Sequence, residues 1–197
     1  MNASDNTAPQ LQWSRPLRLL HFSLAVAVTI QLFVGSFMRS PHTGRPDTFG
    51  FETHEILGFT ILVLVLLHWL WSATHPTEGL RHLFPWSGAG LRRVTGEFWQ
   101  ALRYRQLPPG GPGLDGGLAG FVHGLGLLSI TAIALTGGTF YLVRMAGAGR
   151  NALEIIEDIH DTFAVIAWIY WSGHLAITVL HSLFGHPTFK GMFNLRG

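Results

Sequence analysis

Apolar residues in this chain gather into four long runs separated by polar stretches, roughly Pro16 to Met38, Thr53 to Thr74, Leu118 to Val143 and Ile159 to Phe184. A run of about twenty apolar residues is long enough to cross the hydrocarbon core of a bilayer as a helix. The runs predict helices because hydrocarbon offers no water to backbone groups, and four short-looped segments cannot close a barrel. The first run follows Arg15 and Arg18 as a secretory leader would, but no small-residue cleavage site ends a short apolar core, so the helix is expected to be retained.

Between the second and third runs the pattern changes. From Leu91 to Gln106, Val94, Phe98, Ala101 and Leu102 recur at helical spacing among four arginines, as in an amphipathic helix lying on a membrane surface. A disordered basic loop is the alternative. The Pro- and Gly-rich stretch from Pro108 to Gly117 reads as a turn-rich linker. The expected organisation is all-α: an integral membrane four-helix bundle over residues 15–187, with a connection at 75–117 and short tails at 1–14 and 188–197.

Composition sharpens this picture. With 48% hydrophobic and 12% charged residues among 197, and a mean hydropathy of +0.30, the chain is too apolar for an ordinary soluble domain. The net charge of +2 gives no reason to expect nucleic acid as a partner. Arg15, Arg18, Arg81, Arg92, Arg93, Arg103, Arg105, Lys190 and Arg196 fall on one side of the expected membrane; Arg39, Arg45, Arg144 and Arg150 fall on the other. The positive-inside rule then places both termini and the long connection in the cytoplasm.

Histidine is the unusual component. Eleven are present against thirteen Lys plus Arg, and no cysteine, which excludes disulfides, thiolate metal sites and covalently attached c-type haem. His54 and His68 in the second run are fourteen residues apart, as are His160 and His174 in the fourth. Fourteen residues is almost four turns, so each pair shares a helix face with its members about 21 Å apart. Ionisable groups at membrane depth are functional candidates. The expected topology puts His54 and His160 near the outer face, and His21 and His174 near the inner one. The simplest four-ligand arrangement is an outer b-type haem between His54 and His160 and an inner one between His21 and His174, with imidazole filling both axial positions of each iron. His68 shares the inner depth and competes with His21 as partner of His174. His123 and His181 are accessory candidates for propionate contacts or a quinone pocket, against a plainer reading as interfacial polar residues.

Small residues fit slots between helices: Ala25 after His21, Gly58 after His54, Ala164 and Ala167 after His160, and Gly35 fourteen residues beyond His21. Close packing of bare helices is the competing explanation for any one of them.

The stretch IHDTFAVIAWIYWSGHLAITVLHSLFGHP, from Ile159 to Pro187, resembles the last helix of bacterial cytochrome b561. RLLHFSLAV, THEILGFTILVLVLLHW and GLAGFVHGLGLL resemble the other three helices in order and histidine placement. The similarity extends to the cytochrome b subunits of nickel-iron hydrogenases and membrane-bound formate dehydrogenases. It implies two haem b groups, with His21 and His174 on one iron and His54 and His160 on the other. It further implies a bacterial inner-membrane location and electron transfer between the quinone pool and a redox partner. One version is a self-contained superoxide:quinone oxidoreductase, with Arg39, Arg45, Arg144 and Arg150 attracting the anion; another is a membrane anchor receiving electrons from a periplasmic dehydrogenase or hydrogenase. A second copy of the chain is a further candidate partner. His68 stands where some relatives carry an arginine.

Other classes remain as competitors. A histidine-lined transition-metal transporter would need polar ligands along a path, whereas the positions between the paired histidines are almost wholly apolar. A di-iron carboxylate bundle needs two Glu-x-x-His motifs, and only Glu157 to His160 supplies one. Glu55 and Asp161 directly follow the outer histidines and point off their axis.

Overall fold

The computed structural model describes residues 13–39, 48–75, 78–104 and 116–183. These form six helices in chain order: α1 (Arg15–Phe37), α2 (Phe49–Thr74), α3 (Leu80–Leu83), α4 (Gly88–Tyr104), α5 (Gly117–Met145) and α6 (Arg150–Leu183). Among the described residues there is no strand. Arg45, Arg105, Lys190 and Arg196, most of the 108–117 linker and of the terminal tails, and the His181 side chain lie outside the described set.

The four long helices are those the apolar runs predict, and each is long and apolar enough to cross a membrane. Their ends differ from the runs for local reasons. Helix α2 begins at Phe49, where the Thr48 hydroxyl accepts the Phe51 N–H at 3.3 Å; a side-chain oxygen here satisfies one of the orphan donors of a first turn. Helix α6 begins at Arg150, nine residues before Ile159, and the extension carries an exposed Arg150–Glu154 ion pair at 2.6 Å. Hydropathy locates the apolar stretch of a helix and misses an extension in which charged and apolar residues are mixed.

Helices α1 and α2 pack as one intimate pair and α5 and α6 as another, joined mainly across α2 and α5. The core along this seam contains Ala27, Val28, Leu32, Ile61, Val65, Leu127, Ile130, Ala134 and Ala167, with Val65 and Ala167 wholly buried. Many Leu, Ile, Val and Phe side chains of the same helices face outward, as expected where lipid rather than water is the solvent. Hydrogen bonds also cross the seams: the Trp69 indole donates to Thr131 and the Trp171 indole to Thr29, both at 2.9 Å.

The long connection folds back against the bundle. Glu78, 8% exposed, accepts hydrogen bonds from the backbone N–H and hydroxyl of Ser14, tying the end of α2 to the start of α1. Short helix α3 lies on the first turns of α5, where a Cβ at Gly116, Gly120 or Gly124 would overlap the carbonyl oxygen of His82 or Leu83. Helix α4 is joined to the same end of α5 by Glu97, whose carboxylate accepts the Leu118 N–H at 2.7 Å. Gly117 beside it has φ +54°, a conformation suited to glycine.

Candidate functional site

The histidines collect at two levels of the bundle. At one, His54 of α2 faces His160 of α6, with ring centres 6.1 Å apart and ring planes at 82°. At the other, His21 of α1 faces His174 of α6, with ring centres 6.3 Å apart and planes at 59°. Metal–imidazole nitrogen bonds are about 2.0 Å long, so two rings on opposite sides of one metal have centres about 6 Å apart once each ring's half-width is included. Both pairs meet that separation.

The surroundings of the first level are shaped around its rings. A Cβ at Gly35 of α1 would stand 3.1 Å from Cε1 of His54, and one at Gly137 of α5 would stand 3.2 Å from Cε1 of His160. Any larger residue would push the imidazoles aside. The Gln31 amide donates to the His54 carbonyl at 2.8 Å and so fixes this turn of α2 against α1. Both rings line a cavity that also includes Gly58, Gly137, Tyr141, Glu55, Glu157 and Asp161.

Hydrogen bonding decides which ring nitrogen is available. The Thr136 hydroxyl lies within 3.0 Å of the carbonyls of Ala132 and Ile133, to which it donates, and 3.0 Å from Nδ1 of His160. With its hydrogen on either carbonyl, the hydroxyl oxygen is placed to accept an Nδ1–H from His160. In the neutral ring this leaves the Nε2 lone pair free to bind a metal. Nδ1 of His54 is buried and, among the described residues, has no hydrogen-bond partner; Oε1 of Gln31, lining the same cavity, is likewise unmatched. Such orphaned polar atoms call for a bound group or water.

A third histidine joins the second level. His123 of α5 lies 5.0 Å from His174 and 6.3 Å from His21 by ring centres, and one nitrogen of each of the three falls within 4.8 Å of the others. Its Nδ1 donates to the Ala119 carbonyl at 2.7 Å, which again presents Nε2. His174 is stacked on Tyr170, one turn earlier in α6, with centres 5.6 Å apart and planes at 16°. Tyr170 in turn occupies the space over Gly126, where a Cβ would overlap its ring.

Of the residues singled out by sequence, His54 meets His160, and His21 meets both His174 and His123. His68 is turned to the Ser72 hydroxyl, 3.3 Å from Nδ1. Among the small residues, Gly35 lies against the His54 ring and Gly58 lies beside Gln31, while Ala167 is core. Arg144 rests on the Phe51 ring at 5.1 Å, Arg150 pairs with Glu154, and Arg39 is exposed. The contributions of Thr136, Gly137, Gln31, Gly126 and Tyr170 were not foreseen. Only Gly137 carried a usable signal, since it lies fourteen residues after His123 and so shares its helix face at the other level.

The class is that of membrane proteins in which four helices, each long and apolar enough to cross a bilayer, bring imidazoles together at two levels. Residues 12–195 match the family model of prokaryotic cytochrome b561, and the chain belongs to that family. No curated protein and no solved structure shows a significant match.

The residues fit the haem that this family implies. Ring separations suit two imidazoles on one metal, the Thr136 contact to Nδ1 of His160 leaves Nε2 for a metal, and glycines clear both rings at one level. Family membership and the apolar helices together make this an electron-transfer protein of the membrane.

Proposed function

We propose that the chain is a di-haem b-type cytochrome of the bacterial inner membrane, carrying electrons between the quinone pool and a redox partner. His54 and His160 would hold one haem and His21 and His174 the other. The observation that carries this reading is the repetition of one ring separation, 6.1 and 6.3 Å, at both ends of α6. Haem held by these imidazole pairs would supply a one-electron centre for transfer rather than oxygen binding.

The protein's own residues do the rest. Thr136 holds the proton on Nδ1 of His160 and so directs Nε2 into the slot. Gln31 anchors the His54 turn, and Gly35 and Gly137 keep the slot open. Core side chains between the levels, such as Val65 and Leu127, exclude water from the bundle interior. Glu55, Glu157 and Asp161 put carboxylates in the lining of the same cavity. The excess of arginine on the side carrying the termini supports a cytoplasmic position for the His21 level and an outer one for the His54 level.

The direct test is the spectrum of the purified protein. Dithionite reduction should give a b-type band with two haems per chain, and His54→Ala and His21→Ala should each lower the count to one. Absence of the band would overturn the reading. Reoxidation of the reduced protein by added quinone, without any partner protein, supports the self-contained quinone reductase; failure to reoxidise favours the anchor subunit.

A further inference from the structure

Helix α4 has three faces, and among the described residues one of them packs against the rest of the protein. Gly90 and Val94 are buried, and Glu97 and Ala101 half-buried, on the side that meets α5. Next to this side stand Leu91, Phe98 and Leu102, which share a face by their seven- and four-residue spacing and are 40, 47 and 58% exposed. Trp99, 66% exposed, continues this apolar strip. Beyond the tryptophan come Arg92 and Arg103, close together on the helix wheel and both exposed. Arg103 also lies over the Tyr104 ring at 5.7 Å.

We propose that this outer side of α4 is a docking surface for anionic phospholipid, with Leu91, Phe98 and Leu102 among the acyl chains, Trp99 at headgroup depth, and Arg92 and Arg103 on lipid phosphates. Three observations carry it. The apolar strip is covered by no other part of the described chain. It borders the arginines directly, so that one occupant must offer hydrocarbon next to negative charge, and an anionic lipid does both. Finally, Glu97 fixes α4 to the first turn of a membrane-crossing helix through Leu118, which holds the strip where a bilayer surface would lie. A soluble acidic partner would satisfy the arginines and leave the strip in water.

The holo-protein can be placed in nanodiscs of phosphatidylcholine alone, or of phosphatidylcholine with phosphatidylglycerol, and followed by hydrogen–deuterium exchange. Amides of α4 should exchange more slowly in the anionic discs, by about fivefold for each arginine engaged, with α5 and α6 unchanged. The double variant R92Q/R103Q should erase the difference between disc types while keeping its haem spectrum. Equal exchange of wild-type α4 in the two lipids would overturn the proposal, as would a difference that survives in the double variant. Because the readout is lipid-dependent exchange, its failure leaves the haem assignment untouched.

Discussion

The Thr136 hydroxyl on α5 lies 3.0 Å from Nδ1 of His160 on α6, and its own hydrogen is committed to a carbonyl one turn back. This bond couples two helices and selects the ring nitrogen facing the cavity. An acceptor behind a metal-bound imidazole raises its basicity and favours the oxidised metal. Thr136→Val should therefore raise the midpoint potential of the His54-level haem, by on the order of tens of millivolts, while Thr136→Ser should restore it. Redox titration by absorbance checks this, and an unchanged potential in the valine variant would remove the assigned role.

Gly35 and Gly137 flank the same pair from α1 and α5. A Cβ at either position already sits 3.1 to 3.2 Å from a ring carbon, so branched side chains cannot be accommodated by small shifts. Gly35→Val and Gly137→Val should each yield protein with one haem per chain instead of two, the remaining one being that of the His21 level. Haem-to-protein ratios on folded, detergent-solubilised protein report the outcome, and full occupancy in both variants would contradict it.

At the second level His21, His123 and His174 come within ligating reach of one another, where two suffice. His21 stands 6.3 Å from both His174 and His123, whereas His123 and His174, 5.0 Å apart, are too close to flank one metal; we pair His174 with His21 because it shares α6 with His160 at the fourteen-residue spacing. His174→Ala should lose the haem of this level; His123→Ala should keep it with a shifted potential. The reverse pattern, measured by haem content and redox titration, would make His123 the ligand.

Gly126 and Tyr170 form a matched pair beneath His174. A methyl group at Gly126 must displace the tyrosine ring that stacks on the histidine. Overpacking of this kind costs about 1–3 kcal/mol, so Gly126→Ala should lower the thermal unfolding temperature in detergent. Gly126→Ala combined with Tyr170→Leu should recover part of the loss, and strictly additive effects would show that the two residues do not share the space.

Much of the architecture was legible because the membrane restricts the choices. A run of about twenty apolar residues has one stable conformation in hydrocarbon, and the helical period fixes which residues share a face. The levels of His21, His54, His160 and His174 thus followed from counting along α1, α2 and α6. Gly35 was found by the same fourteen-residue arithmetic, and the amphipathic pattern around α4 was visible in Val94, Phe98 and Leu102. Helix ends were less legible: the nine residues of α6 before Ile159 include five polar ones, among them Arg150, Glu154, Glu157 and Asp158, which break the apolar run without breaking the helix.

By itself, then, the sequence determined four helices long and apolar enough to cross a membrane, the absence of thiolate chemistry and the relative levels of His21, His54, His160 and His174 along their helices, since composition and helical periodicity are properties of a single segment. The tertiary structure alone decided which faces meet. Rotation of α5 against α6 put Thr136 on His160 and Gly126 under Tyr170, and it brought His123 beside His174; the fold of the long connection put Glu97 on the start of α5. Helix rotation and loop path depend on the packing of all the segments together, and no single segment carries that information.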